Sequence, residues 1–268
     1  MTRPEGAGTL IGWTQAIPPA VHAILERNRA ALRERLDEAA RRVGRDPAQV
    51  RLVAVTKSQP APVALALREI GQQDLAENRL EGLLAKRAHF EQAGATARWH
   101  FVGRLQRNKA RRVLLACDEI HSVDRDALLD NLARLAAEED VQARIYLQVE
   151  LAGDGRKAGY APDELRDALQ RAHEATHLAP MGLMTMAALP EGAAPAERAR
   201  AASACFARLA ELGRELPASQ FAEGAPRLSM GMSGDFEQAV EQGATDVRLG
   251  RSLFSGIDAP SSQQEGAA

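Results

Sequence analysis

The run RLVAVTK, 51–57, is mostly apolar and ends on a lysine. Strand alternation places Leu52, Ala54 and Thr56 on one face and Val53, Val55 and Lys57 on the other, so the amine can point along the inner face of a sheet. An amine stripped of enough water to be partly neutral near pH 7 is a nucleophile toward an aldehyde. A strand-end lysine that snorkels to solvent is the plainer alternative. A second group lies in RLSMGMSGDFEQAV, 227–240, where Ser229, Met230, Gly231, Met232 and Ser233 form a hydroxyl- and glycine-bearing turn leading into a helix near Asp235. Backbone N–H groups and hydroxyls at such a turn can cradle a phosphate, although the same pattern also serves as an N-cap. A third is VRLGRSLFSG, 247–256, where Arg248 ends a run and Gly250, Arg251 and Ser252 open the next turn. An arginine there suits either an anion site or a structural ion pair.

These groups need elements to bring them together. Strand-like runs occur at 51–57, 74–78, 98–103, 119–123, 143–151, 181–186, 227–232 and 245–250, separated by helical patterns, and an amphipathic helix at about 21–43 precedes them. That alternation predicts an α/β chain folded as a single-domain (β/α)8 TIM barrel over 21–257, with an N-terminal helix before the first strand. A doubly wound sheet would carry a glycine-rich fingerprint after its first strand, and TKSQPAP is not one. In a barrel the chemistry gathers at the C-terminal strand ends, and strands one and eight adjoin. A Schiff-base former beside a phosphate cradle is the pair that pyridoxal phosphate requires. The loop at 188–197 is read as a lid or an ordinary connection. Residues 1–20 read as a flexible extension without a signal peptide, and 258–268 as a disordered polar tail.

Composition narrows the partners. Thirty-four basic and thirty-six acidic residues leave a formal charge of -2, which provides no overall field for nucleic acid or an anionic membrane. No run approaches the roughly 18 apolar residues of a membrane span. Cys117 and Cys205 lie far apart without a ligand pattern, so a reducing, cytoplasmic setting is expected. The histidines lack metal spacing, and His173 with His177 read as surface residues, so no metal is expected.

The ordered motifs LVAVTK, AENR, WHFVGRLQRNK, HSVDR, GLMTM, LSMGMS and VRLG, spanning about 51 to 256, resemble the pyridoxal phosphate homeostasis proteins, single-domain relatives of the N-terminal barrel of alanine racemase. The resemblance implies the barrel and a cofactor, pyridoxal 5'-phosphate, bound as an internal aldimine at Lys57. It implies Ser229, Met230, Gly231 and Ser233 around the phosphate, with Gly250 and Arg251 adding backbone donors. Asn78 and Met184 would line the pocket, His100 and Gln106 would lie near its rim, and Arg248 would reach the pyridine nitrogen. Three positions depart from the family pattern: Ala76 replaces a glycine, Arg104 a proline or histidine, and Arg251 a threonine. The last removes a hydroxyl for the phosphate, so the Arg251 side chain either substitutes by charge or points away. The segment LAGDGRKAG is poorer in acidic residues than the family pattern.

An arginine at the ring nitrogen makes the cofactor a poor electron sink. Racemisation also needs a second acid/base opposite the lysine, and neither Tyr146 nor Tyr160 lies in a motif suited to that role. The expectation is therefore a protein that holds or delivers pyridoxal phosphate within vitamin B6 homeostasis, without turnover and as a monomer. The alternative is an amino-acid racemase or another enzyme dependent on this cofactor. A third reading, docking of apo enzymes, rests on Arg104, Arg107 and Arg111 sharing one helix face.

Overall fold

The first strand pairs with the last, which closes the sheet. In the computed structural model, β1 (Arg51–Val55), β2 (Asp74–Glu77), β3 (Arg98–Phe101), β4 (Glu119–Val123), β5 (Ala143–Gln148), β6 (Leu178–Met184), β7 (Arg227–Ser229) and β8 (Asp246–Leu249) form a closed parallel barrel in sequence order. Helices α1 (Pro19–Arg42), α2 (Ala61–Glu69), α3 (Leu80–Gln92), α4 (Ala110–Leu114), α5 (Asp126–Glu138), α6 (Leu165–Glu174), α7 (Pro195–Glu215) and α8 (Phe236–Glu241) complete the chain order. The structure describes residues 17–151, 158–188 and 192–257. The expected loose N-terminal stretch up to residue 16, the tail at 258–268, the centre of LAGDGRKAG and part of the 188–197 loop lie outside the described residues.

The predicted (β/α)8 architecture is present, with shifted boundaries. Lys57 lies in the turn after β1 rather than on the strand. Strand β6 begins at Leu178 and includes Pro180. Ile145 pairs with Pro180 and Tyr146 with Gly182, so the register shifts there, and such an irregularity accommodates a residue that cannot donate to the ladder. The helix expected from Leu105 to Cys117 is shorter, a 3-10 turn at Arg107–Lys109 followed by α4. Among the described residues no helix is long and apolar enough to cross a membrane.

Alternation along the strands separates two interiors. Leu52, Leu75, Trp99, Ile120, Leu228 and Val247 face the helices and join the continuous apolar core. Inside the barrel the layer nearest the N-terminal mouth is charged: Arg51 donates to Glu119 at 2.7 Å, Arg227 donates to Asp246 at 3.0 Å, and Arg98 donates to Asp74 at 3.0 Å. Branched apolar side chains usually fill this space.

Helix α1 starts at a Pro-Pro pair, where a missing N–H costs nothing, and buries the stripe Val21, Leu25, Leu32 and Leu36. It is tied to α8 by Arg35–Glu237 and Arg42–Glu241, each at 2.9 Å. The Asn28 amide also donates to the carbonyls of Leu253 at 3.0 Å and Ser255 at 2.8 Å, so the leading helix holds the chain leaving β8.

Candidate functional site

Lys57 follows a residue that is firmly anchored. The Thr56 N–H donates to Ala76 O at 2.9 Å, its hydroxyl donates to Glu77 Oε1 at 2.6 Å, and the side chain is fully buried. Lys57 itself is exposed and forms no ion pair among the described residues. Its environment is therefore solvated, unlike the dry site considered from sequence. Ala54 pairs with Leu249, which places the turn bearing Lys57 beside the turn that begins at Gly250.

The turns after β7 and β8 meet at this rim. The Arg248 N–H donates to Gly231 O at 3.0 Å, and the Ser252 N–H donates to Ser233 Oγ at 3.4 Å. Gly231 has φ +91°, and a Cβ there would stand 2.5 Å from Ala239 Cβ, so both conformation and space require glycine. Asp235 accepts from the Met232 N–H at 2.6 Å, and burial raises its carboxyl pKa. The N–H groups of Ser233, Gly234, Gly250 and Arg251 have no acceptor among the described residues. Such backbone donors, gathered from two linked turns, suit a phosphate.

Two residues expected around that phosphate are engaged elsewhere. The Met230 N–H donates to Asp246 O at 3.1 Å and its side chain packs in the helix-side core, because its parity sends it outward. Ser229 is fully buried inside the barrel, where its Oγ lies 2.8 Å from His121 Nδ1 and accepts from Arg248 Nη1 at 2.7 Å. The unengaged backbone donors are therefore those of Ser233 and Gly234 in the first turn and of Gly250 and Arg251 in the second. The Arg251 side chain is exposed.

Arg248 is the buried cation beneath this rim. It is 5% exposed, and its second amino group donates to Thr185 O at 2.9 Å. Its other donors have no acceptor among the described residues, and it forms no ion pair there, so burial pushes the guanidinium down to about 10. Met184 is buried against Tyr146 and Met181 in the barrel interior. Asn78 is half-buried just beyond β2, and Gln106 is exposed at the start of the 3-10 turn.

His100 is not at the rim. It is fully buried, with Nε2 3.1 Å from Asp74 Oδ1 and Nδ1 2.9 Å from His121 Nε2. His121 stacks on Tyr146 with ring centroids 4.1 Å apart, and burial pushes its imidazole down to about 4. His100, Glu119 and His121 bring three potential metal-ligating atoms within 4.8 Å of one another. Those atoms already have partners, since Arg51 Nη2 sits on Glu119 and the two imidazoles face each other. A local-spacing search misses this group because it comes from adjacent strands: Glu119 pairs with His100, and His121 is the next inward position. The recurrence of Asp74, His100, Glu119 and His121 at inward parity is the signal that could have revealed it.

The basic stripe is not one helix face either. Arg104 precedes the 3-10 turn, Arg107 lies in it, and Arg111 on α4 pairs with Glu138 and Glu139.

Comparison with known proteins finds relatives along most of the chain. Residues 28–258 match the family model described as the alanine racemase N-terminal domain. The chain is 39% identical over 231 residues, 86% of this chain and 95% of the relative, to the pyridoxal phosphate homeostasis protein of Pseudomonas aeruginosa. The structure of PipY from Synechococcus elongatus with pyridoxal phosphate bound is 35% identical, with a TM-score of 0.70 and coverage of 86% of this chain and 99% of that one. The alanine racemase of E. faecalis shares the fold, with a TM-score of 0.61 at 14% identity over 89% of this chain and 59% of that one. An ordered set of motifs, a closed parallel barrel and near full-length matches thus agree, and the chain belongs to the pyridoxal phosphate homeostasis protein family, built on the alanine racemase N-terminal domain.

Proposed function

We propose that this chain binds pyridoxal phosphate at the C-terminal rim of the barrel, through a Schiff base at Lys57, and holds or delivers it in intracellular vitamin B6 homeostasis without turnover. The observation that carries the reading is the junction of β1 with β8. There Lys57, with no ion pair among the described residues, stands beside two linked turns in which the Ser233, Gly234, Gly250 and Arg251 N–H groups have no acceptor among those residues. When bound, the cofactor supplies an aldehyde for the amine and a phosphate for the turns. Lys57 binds the first. The N–H groups of Ser233, Gly234, Gly250 and Arg251 receive the second, with Gly231 permitting the turn and the Arg251 side chain left in solvent. Asn78 and Met184 flank the pocket, and Arg248 offers its unengaged donors toward the pyridine ring.

Two features favour holding over turnover. A guanidinium donating to the ring nitrogen disfavours its protonation and weakens carbanion stabilisation. Neither tyrosine stands open to a substrate as a second acid: Tyr146 donates to Glu119 at 3.0 Å deep in the barrel, and Tyr160 is buried at 3% exposure. Delivery to apo enzymes would use the exposed rim rather than a continuous arginine stripe. A monomer and a cytoplasmic location complete the proposal.

The test is the visible absorption of the protein and its Lys57→Ala variant after addition of pyridoxal phosphate, followed by borohydride reduction and peptide mapping. A band that requires Lys57, an adduct on that residue, and no loss of chirality from added amino acids is the expected result. Absence of the adduct would remove the cofactor reading, and Lys57-dependent racemisation would replace holding by catalysis.

A further inference from the structure

A line of side chains crosses the barrel interior from the rim toward its opposite mouth. Arg248 Nη1 donates to Ser229 Oγ at 2.7 Å, and Ser229 Oγ lies 2.8 Å from His121 Nδ1. His121 Nε2 lies 2.9 Å from His100 Nδ1, and His100 Nε2 lies 3.1 Å from Asp74 Oδ1. Ser229, His100 and His121 are each fully buried, and Asp74 is 8% exposed. The five residues come from β8, β7, β4, β3 and β2, so the line ties five strands together.

The ends of the line determine its proton order. A guanidinium can only donate and a carboxylate can only accept. With both imidazoles neutral, one arrangement satisfies every link. The Ser229 hydroxyl accepts from Arg248 and donates to His121 Nδ1. His121 Nε2–H donates to His100 Nδ1, and His100 Nε2–H donates to Asp74. Burial works to raise the Asp74 carboxyl, but the His100 hydrogen bond and the nearby charges of Arg51 and Arg98 work against it, and the group is held below its usual range, suited to the accepting end.

We propose that Ser229, His121, His100 and Asp74 are positioning residues that hold Arg248 as a fixed, one-way hydrogen-bond donor beneath the ring of the bound cofactor. The proposal rests on the pyridoxal phosphate reading of the rim, and it gives Ser229 a role at the ring-facing arginine in place of the phosphate. Because Arg248 has no carboxylate partner among the described residues, the serine and the Thr185 carbonyl are its fixed contacts. Without the serine link the guanidinium can turn away from the ring, and a donor that must first be reoriented binds less well.

Two measurements test this. In 15N-histidine-labelled protein, with and without added pyridoxal phosphate, His100 and His121 are each expected to carry the proton on Nε2 and leave Nδ1 as the acceptor. An imidazolium or an Nδ1-protonated tautomer at either position would overturn the proton order. In the second, Ser229→Ala is expected to form the Lys57 adduct yet release pyridoxal phosphate about tenfold faster, the scale of one lost hydrogen bond to a charged group. Ser229→Thr, which keeps the hydroxyl, is expected to restore slow release. Native release from Ser229→Ala, or equally fast release from both variants, would overturn the positioning role. Failure of the unsubstituted protein to form any Lys57 adduct would instead remove the cofactor reading itself, whatever the histidine tautomers.

Discussion

Arg51, the first residue of β1, is the register neighbour of Asp246, the first residue of β8, and the two are ion-paired across the seam that closes the barrel. The same guanidinium donates to both carboxylate oxygens of Glu119, at 3.0 and 2.7 Å, and to Tyr146 at 3.0 Å. One cation thus links the seam to the opposite wall. Burial works to lower the Arg51 pKa, but the Glu119 hydrogen bond and the surrounding carboxylates raise it above its usual value. Arg51→Met would leave the buried Glu119 with Arg144, 3.7 Å away, as its one arginine neighbour among the described residues, while Asp246 would retain Arg227. Removing one partner of a buried ion pair costs about 3–5 kcal/mol. That loss should appear in denaturant unfolding, whereas a loss below about 1 kcal/mol would mean the remaining arginines compensate.

Gly231 joins seam and site at the other end of the strands. Its positive φ and the 2.5 Å approach to Ala239 make Gly231→Ala strained in both backbone and packing. A destabilisation of about 2 kcal/mol or more is expected. Gly234→Ala is the control, since a Cβ there meets nothing within 4 Å, and its unfolding midpoint should stay near that of the unsubstituted protein. Equal behaviour of the two variants would show that the turn can relax around the added methyl.

Acid should weaken the fold through His121. Its folded pKa of about 4 lies below the unfolded value of about 6.5, so the unfolded chain takes up a proton first. Stability present above pH 6.5 is then lost as pH falls toward 4, by on the order of 3 kcal/mol for this group alone, with no further loss from it below. Unfolding free energies measured between pH 7 and 4 should fall in the unsubstituted protein and fall less in His121→Phe. Parallel profiles would place the acid sensitivity elsewhere.

The sequence made the outer frame legible because each strand carries helix-facing apolar residues at one parity and lies between clear turns. The rim lysine and the two turns were readable for the same reason, since they follow strand ends directly. The barrel interior was harder. Ser229 looks like part of a hydroxyl-rich phosphate turn until its parity is followed inward to His121, and His100 looks like a rim residue until β3 is seen to end only at Phe101. The α4 region misled for a local reason: the arginine spacing fits a helix, yet Arg107–Lys109 adopts a tighter turn before the helix begins.

Arg248 and Arg51 are both largely buried arginines of the barrel interior, but their settings predict opposite responses to the same substitution. Arg51 neutralises carboxylates that would otherwise be left buried and charged. Arg248 pairs with no carboxylate among the described residues, makes two hydrogen bonds, and bears a desolvation penalty that lowers its pKa to about 10. Replacing it by methionine removes a poorly compensated charge and keeps much of the volume. Arg248→Met is therefore expected to leave unfolding stability within about 1 kcal/mol of the unsubstituted protein, or above it. Its affinity for pyridoxal phosphate should fall at least about tenfold with loss of the charged donor. Denaturant unfolding without cofactor, paired with a binding titration, separates the two effects. A large destabilisation with unchanged affinity would make Arg248 a structural residue of the core, whereas retained stability with weakened binding fits an arginine kept for the cofactor at the expense of the fold.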